Sequence, residues 1–134
     1  MKRAGLFASI IMFGSATLVY AERNLIPTLD NQTDVCLEQP AEPVWMQDID
    51  MRNSYKRLLV QQIYRAQSMQ RIVAAQDCAC PTRYPSWKAA ETIFFESFGT
   101  AEYWDVVEAT SDYRRLANEF RIEAMPICEE AGNW

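Results

Sequence analysis

The sequence predicts an all-α protein: a three-helix domain in which two long helices pack lengthwise, joined by a short aromatic-rich helix. Two observations predict the helices. Apolar residues recur three and four positions apart along two long stretches, and no alternating pattern typical of a strand is present. A third observation is the even number of cysteines, four, which predicts that the domain is cross-linked by disulfides.

Residues 1–21 have the pattern of a secretory signal peptide. Lys2 and Arg3 precede an apolar stretch from Leu6 to Val19, and a cut is expected after Ala21. The stretch is too short and too polar for a stable membrane span, although a retained N-terminal anchor is the alternative. We therefore expect a protein that leaves the cytoplasm, with no stable span in its mature part.

The composition excludes several classes of function. The chain has 18 acidic and 13 basic residues and a formal net charge of -5, whereas general nucleic-acid binding needs a basic surface. Histidine is absent, so catalytic systems that pair serine or cysteine with histidine are excluded. The sequence gives no reason to expect a cofactor.

The first helix is predicted after a lead segment at residues 22–47, which is expected to be mostly extended because it contains three prolines. Residues 48–76 contain neither Pro nor Gly, and Asp48 or Asp50 is the expected N-terminal cap. At 1.5 Å per residue this helix is roughly 40 Å long. Its apolar stripe consists of Tyr55, Leu59, Ile63, Ala66, Met69 and Val73.

The other two helices follow a linker at residues 77–85, which its prolines are expected to keep extended. Ser86 is the expected cap of a short helix over residues 87–98, which Gly99 ends, and Thr100 is the expected cap of the third helix. Pro126 is expected to kink or end that helix. Its heptad-like seam, in which Phe120 is expected to be fully packed, consists of Tyr103, Val106, Thr110, Tyr113, Ala117, Phe120, Ala124 and Ile127.

The cysteines are Cys36, Cys78, Cys80 and Cys128. A bridge between Cys78 and Cys80 would close a strained ring, so Cys36 and Cys128 are both expected to reach the linker. The sequence does not choose among the three possible connectivities. A zinc site is disfavoured because paired C-x2-4-C arms are missing, and a redox-active dithiol because no strand pattern surrounds the motif.

Glu96 is the one candidate for catalysis. The Glu96-Ser97 pair near a helix end resembles that of lytic transglycosylases, in which such a glutamate is a general acid, but the other pocket residues of that family are not recognisable. The alternative interpretation is a glutamate that faces solvent.

Charged residues are segregated along the chain. Residues 51–76 contain five basic and no acidic residues, whereas residues 89–113 contain six acidic and no basic residues. The two helices either complement each other's charge as neighbours or present a charged face to a partner. For apolar residues that fall outside the predicted stripes there are two interpretations. Either the lead segment covers them, or they are exposed and bind a partner. The candidate interface residues are Val60, Tyr64, Glu102, Trp104, Asp105, Glu108 and Ile122.

Three segments carry a family resemblance: Cys-Ala-Cys-Pro-Thr-Arg-Tyr-Pro-Ser-Trp at residues 78–87, Ala-Glu-Tyr-Trp at 101–104, and Met-Pro-Ile-Cys-Glu-Glu-Ala-Gly-Asn-Trp at 125–134. With the signal peptide, they resemble small exported accessory proteins of bacterial conjugative transfer and type IV secretion. The resemblance implies a periplasmic location, with secretion as the alternative, and a role in an envelope complex. It assigns no active-site residues.

The leading hypothesis is therefore a non-enzymatic interaction module that binds another envelope protein. The alternatives are a small cell-wall-active enzyme that uses Glu96, and a periplasmic inhibitor or exclusion factor. The enzyme differs from the interaction module in needing a catalytic site. The inhibitor, like the interaction module, needs only an exposed interface.

Overall fold

The computed structural model describes residues 36, 37 and 39–134. The predicted signal peptide and residues 22–35 of the lead segment lie outside the described residues. Within the described part the protein is all-helical, with two disulfides and no strand, as the sequence predicts. Its elements are α1 (Val44–Gln47), a 3-10 turn (Met51–Asn53), α2 (Ser54–Ala75), α3 (Cys80–Arg83), α4 (Lys88–Phe98) and α5 (Tyr103–Glu130).

The first long helix begins with the 3-10 turn rather than at residue 48. The carboxylate of Asp50 accepts a hydrogen bond from the backbone N–H of Arg52 at 2.8 Å, so Asp50 is the cap that the sequence predicts. The helix ends at Gln76, which has a positive φ of 50° and donates its backbone N–H to the carbonyl of Ile72. This left-handed residue turns the chain into the linker.

The linker is predicted to be extended, and this prediction is wrong. It contains the single helical turn α3. The carboxylate of Asp77 accepts hydrogen bonds from the backbone N–H of Ala79 at 3.1 Å and from the Thr82 hydroxyl at 2.6 Å. Pro81 lies in the first turn, where a missing N–H costs little and the fixed φ suits a helix. Proline therefore begins a helix here instead of preventing one.

The boundaries of α4 and α5 also differ from those predicted. The residue before α4 is Trp87, not Ser86, and the residue before α5 is Glu102, not Thr100; neither makes a side-chain capping bond. Gly99 does follow the last residue of α4, and glycine suits this position because an added Cβ would lie 2.8 Å from the carbonyl oxygen of Phe95.

Pro126 does not end α5, which continues to Glu130. The proline is exposed, so its ring does not disturb the packed face. The following turn is held from outside the helix, because Cys128 is disulfide-bonded and its carbonyl accepts the backbone N–H of Asn133 at 2.8 Å.

The two long helices run in the same direction. Tyr55 meets Tyr103 near their N-terminal ends, with ring centroids 4.8 Å apart. Midway along, Arg65 donates to the side chain of Asn118 at 2.8 Å. The intervening α4 therefore returns the chain to the N-terminal end of α2, and α2 and α5 make the most extensive contact in the fold.

Two apolar clusters form the interior. The larger cluster includes residues of α1, α2, α4 and α5, namely Met46, Leu59, Val60, Ile63, Ala90, Phe94, Val106 and Ala109. The smaller cluster lies at the disulfide end and consists of Ile72, Cys78, Ala124 and Cys128. The predicted seam of α5 is buried at Val106, Thr110, Ala117 and Ala124. The expectation for Phe120 is wrong, because its side chain is only half-buried and belongs to neither buried set.

The described end of the lead segment is part of this interior rather than a simple extended strap. Met46 in α1 is fully buried, and the carbonyl of Pro40 accepts the indole N–H of Trp87 at 3.0 Å. Glu42 forms an ion pair with Arg57 at 2.6 Å and accepts a hydrogen bond from Gln61. The helical body therefore begins before residue 48.

Candidate functional site

The disulfides join the lead segment and the end of α5 to the linker. They connect Cys36 with Cys80 and Cys78 with Cys128, with Cα atoms 5.5 Å and 5.0 Å apart. The prediction that Cys36 and Cys128 both reach the linker is confirmed, and the connectivity is now defined. Among the described residues, no group of three or more Cys, Asp or Glu side chains is arranged to hold a metal ion.

Asn133 ties the same region together without a covalent bond. Its side chain is almost fully buried; the amide nitrogen donates to the carbonyl of Cys78, and the amide oxygen accepts from Arg83 at 3.3 Å. The segment that follows α5 is therefore joined to the linker by hydrogen bonds, beside the disulfide that joins the last turn of α5 to it. Sequence reasoning missed this residue because nothing local distinguishes it from a surface asparagine.

Two of the predicted interface residues do not belong to a surface, and this is a correction. Val60 is fully buried in the larger cluster, together with Met46 and Phe94. The helix α2 is covered on two sides, by α5 and by α4 with α1, so its buried face is wider than one stripe. The predicted apolar stripe assumes contact with a single neighbouring helix, and Val60 lies outside that narrower stripe.

Tyr64 is the second correction. Its ring stacks on that of Trp87 with centroids 3.8 Å apart, and its hydroxyl donates to the carbonyl of Pro85 at 2.8 Å. Burial raises the pKa of the Tyr64 hydroxyl above its usual value. The residue is thus part of the packing between α2 and α4.

The remaining candidates at the start of α5 do lie on the surface. Trp104 is 75% exposed, and Glu102, Asp105 and Glu108 are exposed beside it in the sequence. The indole has an aromatic contact: the Tyr103 ring packs against it edge-to-face with centroids 4.9 Å apart. Tyr103 in turn contacts Tyr55. We call residues 102–105 and Glu108 the Trp104 surface.

The acidic side chains of this surface are not neutralised by α2. In the part of the chain that the structure describes, the ion pairs are Arg57–Glu42 and Arg115–Asp112, and neither joins the basic residues of α2 to α4 or α5. The interpretation in which the two helices complement each other through ion pairs therefore receives no support. Glu102, Asp105 and Glu108 instead face solvent near the exposed indole.

Ile122 is 73% exposed but is remote from this surface. It follows Trp104 by five turns of α5, which corresponds to roughly 27 Å along the axis at 1.5 Å per residue. Charged and polar side chains occupy the same face between the two positions, among them Glu108, Arg115 and Glu119. The predicted interface residues therefore do not form one continuous patch.

A second exposed aromatic group was missed by the sequence analysis. Phe95 is 56% exposed, and its ring lies 5.2 Å from that of Trp45, whose indole N–H donates to Glu91 at 2.8 Å. The consecutive Phe94 and Phe95 are a pattern that could have indicated it, because successive side chains of a helix point about 100° apart, so a helix with a single packed face buries only one of two neighbours.

Glu96 lies exposed on α4 and lines neither of two shallow surface pockets of about 310 Å³ each. One pocket is bounded by α5 residues such as Tyr113 and Leu116, and the other lies between α2 and the start of α4, near Arg71 and Ala89. Neither pocket is lined by a residue of the Trp104 surface.

None of the described helices is both long and apolar enough to cross a membrane. The two disulfides are compatible with an exported protein. Comparison of the chain with protein-family models, with curated proteins and with solved structures finds no match.

Proposed function

We propose that this chain is an exported, non-enzymatic protein-interaction module, and that it serves as an accessory component of an envelope apparatus for DNA transfer or secretion. The observation that supports an interaction role is the exposed indole of Trp104, held in place by Tyr103. Tryptophan and tyrosine are the residues that most often dominate binding at protein interfaces. The apparatus and the periplasmic location are proposed from the sequence resemblance and the predicted signal peptide.

A photo-crosslinking experiment in the native host tests the proposal. A benzoylphenylalanine in place of Ser111, on the same face of α5 as Trp104 and two turns further on, leaves the Trp104 surface intact. We expect an adduct with an envelope protein that disappears when Trp104→Ala is added. The matched control carries the same group in place of the exposed Ile122 and is expected to give no such adduct.

No adduct at Ser111 would contradict the interaction role, whereas equal adducts at both positions, or an adduct at Ser111 that is insensitive to Trp104→Ala, would contradict its assignment to the Trp104 surface. The Glu96→Gln variant addresses the enzymatic alternative, because it removes the acid with little change in shape. We expect this variant to retain full biological activity. Loss of activity with the fold intact would favour the enzyme instead.

Deletion of the chain separates an accessory component from an inhibitor that uses the same surface. An accessory component is expected to be needed for transfer or secretion by its own cell. An exclusion factor is expected to be dispensable for that process and to block a foreign apparatus, so its deletion would increase acceptance.

A further inference from the structure

We infer that the partner segment that docks on the Trp104 surface is cationic: a stretch of another protein whose arginine or lysine side chain lies over the Trp104 indole and pairs with Asp105 and Glu108. This inference rests on the proposed interaction role and adds to it the chemistry of the partner.

The indole is linked to the interior by a row of ring contacts. Tyr55 is half-buried against the larger core cluster, Tyr103 meets its edge at 4.8 Å, and Trp104 meets Tyr103 at 4.9 Å. This row of rings runs from the interior to solvent, so the outermost ring is positioned by packed neighbours. A positioned side chain loses little conformational entropy on binding, which favours affinity.

The carboxylates are placed to meet a cation at that ring. Glu108 follows Trp104 by four residues, so both lie on one face of α5. Side chains on a helix lean towards its N-terminus, which directs the Glu108 carboxylate back over the Trp104 turn. Asp105 borders the same face one residue after the indole. An arginine suits this arrangement best, because its planar guanidinium stacks on an aromatic ring and binds carboxylates through two parallel hydrogen bonds.

Elsewhere the chain supplies its own cations to an exposed indole. The guanidinium groups of Arg83 and Arg121 lie 5.3 Å and 5.4 Å from the centre of the Trp134 ring. Among the described residues, no such cation lies over Trp104; the nearest comparable contact places the Lys56 ammonium over the Tyr55 ring at 5.9 Å. The Trp104 ring thus has exposed acidic residues at positions 102, 105 and 108 of the same helix end and lacks the cation that Trp134 has.

A binding experiment with a defined probe tests the inference. The probe is a blocked peptide of alternating arginine and alanine, and the control peptide has glutamate in place of arginine. The chain has four tryptophans, so its NMR spectrum contains four indole N–H signals, and the signal missing from Trp104→Phe identifies Trp104. We expect the arginine peptide to move this signal most and the glutamate peptide to leave it unchanged.

Variants then show whether the effect is specific. We expect the affinity for the arginine peptide to fall at least about tenfold in Trp104→Ala and in the double variant Asp105→Lys/Glu108→Lys. The matched charge reversal Glu119→Lys, exposed on the same helix but away from the surface, is expected to change it much less. Binding should also weaken as salt is raised. Circular dichroism on each variant checks that the fold is retained.

Three results would overturn the inference. The first is an arginine peptide that leaves the Trp104 signal in place, or that binds Trp104→Ala as tightly as the wild type. The second is self-association without peptide that Trp104→Ala abolishes, because the occupant would then be a second copy of this chain. The third is a cross-linked partner that contacts Ser111 through a segment without basic residues; the proposed interaction role would survive that result, and the cationic partner would not.

Discussion

Phe94 and Phe95 are adjacent on α4 but lie in opposite environments. Phe94 is 2% exposed, within the larger apolar cluster, and its ring stacks on Trp45 with centroids 5.7 Å apart. Phe95 is more than half exposed and contacts the same indole from outside. Successive residues of a helix are rotated by about 100°, and on α4 this rotation places the Phe94 ring inside the cluster and the Phe95 ring at the surface.

The phenylalanine pair gives a direct test of the core. Phe94→Ala is expected to lower the free energy of unfolding by roughly 3–5 kcal/mol, because it removes a fully packed ring and leaves a cavity. Phe95→Ala, the matched control, is expected to cost much less. Denaturant unfolding measures both, and equal losses would show that the assignment of the inward position is wrong.

A second residue-scale prediction concerns Asn133. Asn133→Ala is expected to lower the free energy of unfolding by about 1–3 kcal/mol, because it leaves the buried carbonyl of Cys78 without its side-chain donor. Asn118→Ala is the control, since this exposed asparagine also accepts from an arginine but has no buried partner. Denaturant unfolding measures both variants. If Asn133→Ala lowers the free energy of unfolding no more than Asn118→Ala does, the proposed stabilising role of Asn133 is contradicted.

At the scale of elements, the local hydrogen bonds of the linker determine whether it is helical. Asp77 accepts from Thr82 and from the backbone of Ala79, and these bonds close the turn that becomes α3. The hydrogen bond from Thr82, followed by that from Ala79, lowers the pKa of the Asp77 carboxyl below its usual value. The ionised carboxylate therefore stabilises the folded linker.

The sign of the pH dependence follows from that lowered pKa. The stabilisation is present above the carboxyl pKa of the unfolded chain and is lost as the pH falls through the lower folded value. Wild type is expected to be more stable than Asp77→Asn near neutral pH, with a difference that shrinks as the solution is acidified. Thermal melting across the acidic range checks this. When Thr82→Val is added to both the wild type and Asp77→Asn, the stability difference between them at neutral pH should become smaller. A stability difference that grows on acidification would refute the argument.

At the scale of the whole molecule, the covalent cross-links are concentrated at one end. Both disulfides lie where α2 and α5 finish, whereas the opposite end is held by the contact between Tyr55 and Tyr103 and by the packing of Met46. The Trp104 surface lies at the end without disulfides. Its rings are therefore positioned by packing alone.

The connectivity of the disulfides is tested by removing cysteines in pairs. Cys36→Ser/Cys80→Ser leaves the other native bond intact, so this variant is expected to fold without free thiols. Its free energy of unfolding is expected to fall by up to about 4 kcal/mol. Cys36→Ser/Cys78→Ser leaves two cysteines whose native partners are gone and is expected to show free thiols or misfolding. Thiol titration and unfolding distinguish the two, and identical behaviour would contradict the pairing.

Periodicity alone predicted the two long helices and the short aromatic one, because a 3.6-residue repeat is a local property of the chain. It predicted Leu59, Ile63 and Val106 as core residues and Trp104 as an outward one. It failed for Val60, since a single stripe describes contact with one neighbour and α2 has several. It failed for Phe120 as well, whose side chain is only half-buried although Ala117 and Ala124 on the same seam are fully buried.

The sequence by itself determined the helical class, the number of long helices, and the meeting of Cys36 and Cys128 at the linker. Only the tertiary structure decided the parallel direction of α2 and α5, the pairing of the cysteines, and which exposed residues share a surface. These properties depend on how segments distant in sequence approach one another. Local pattern specifies which face of a helix is apolar, whereas packing specifies what covers that face and what remains open to a partner.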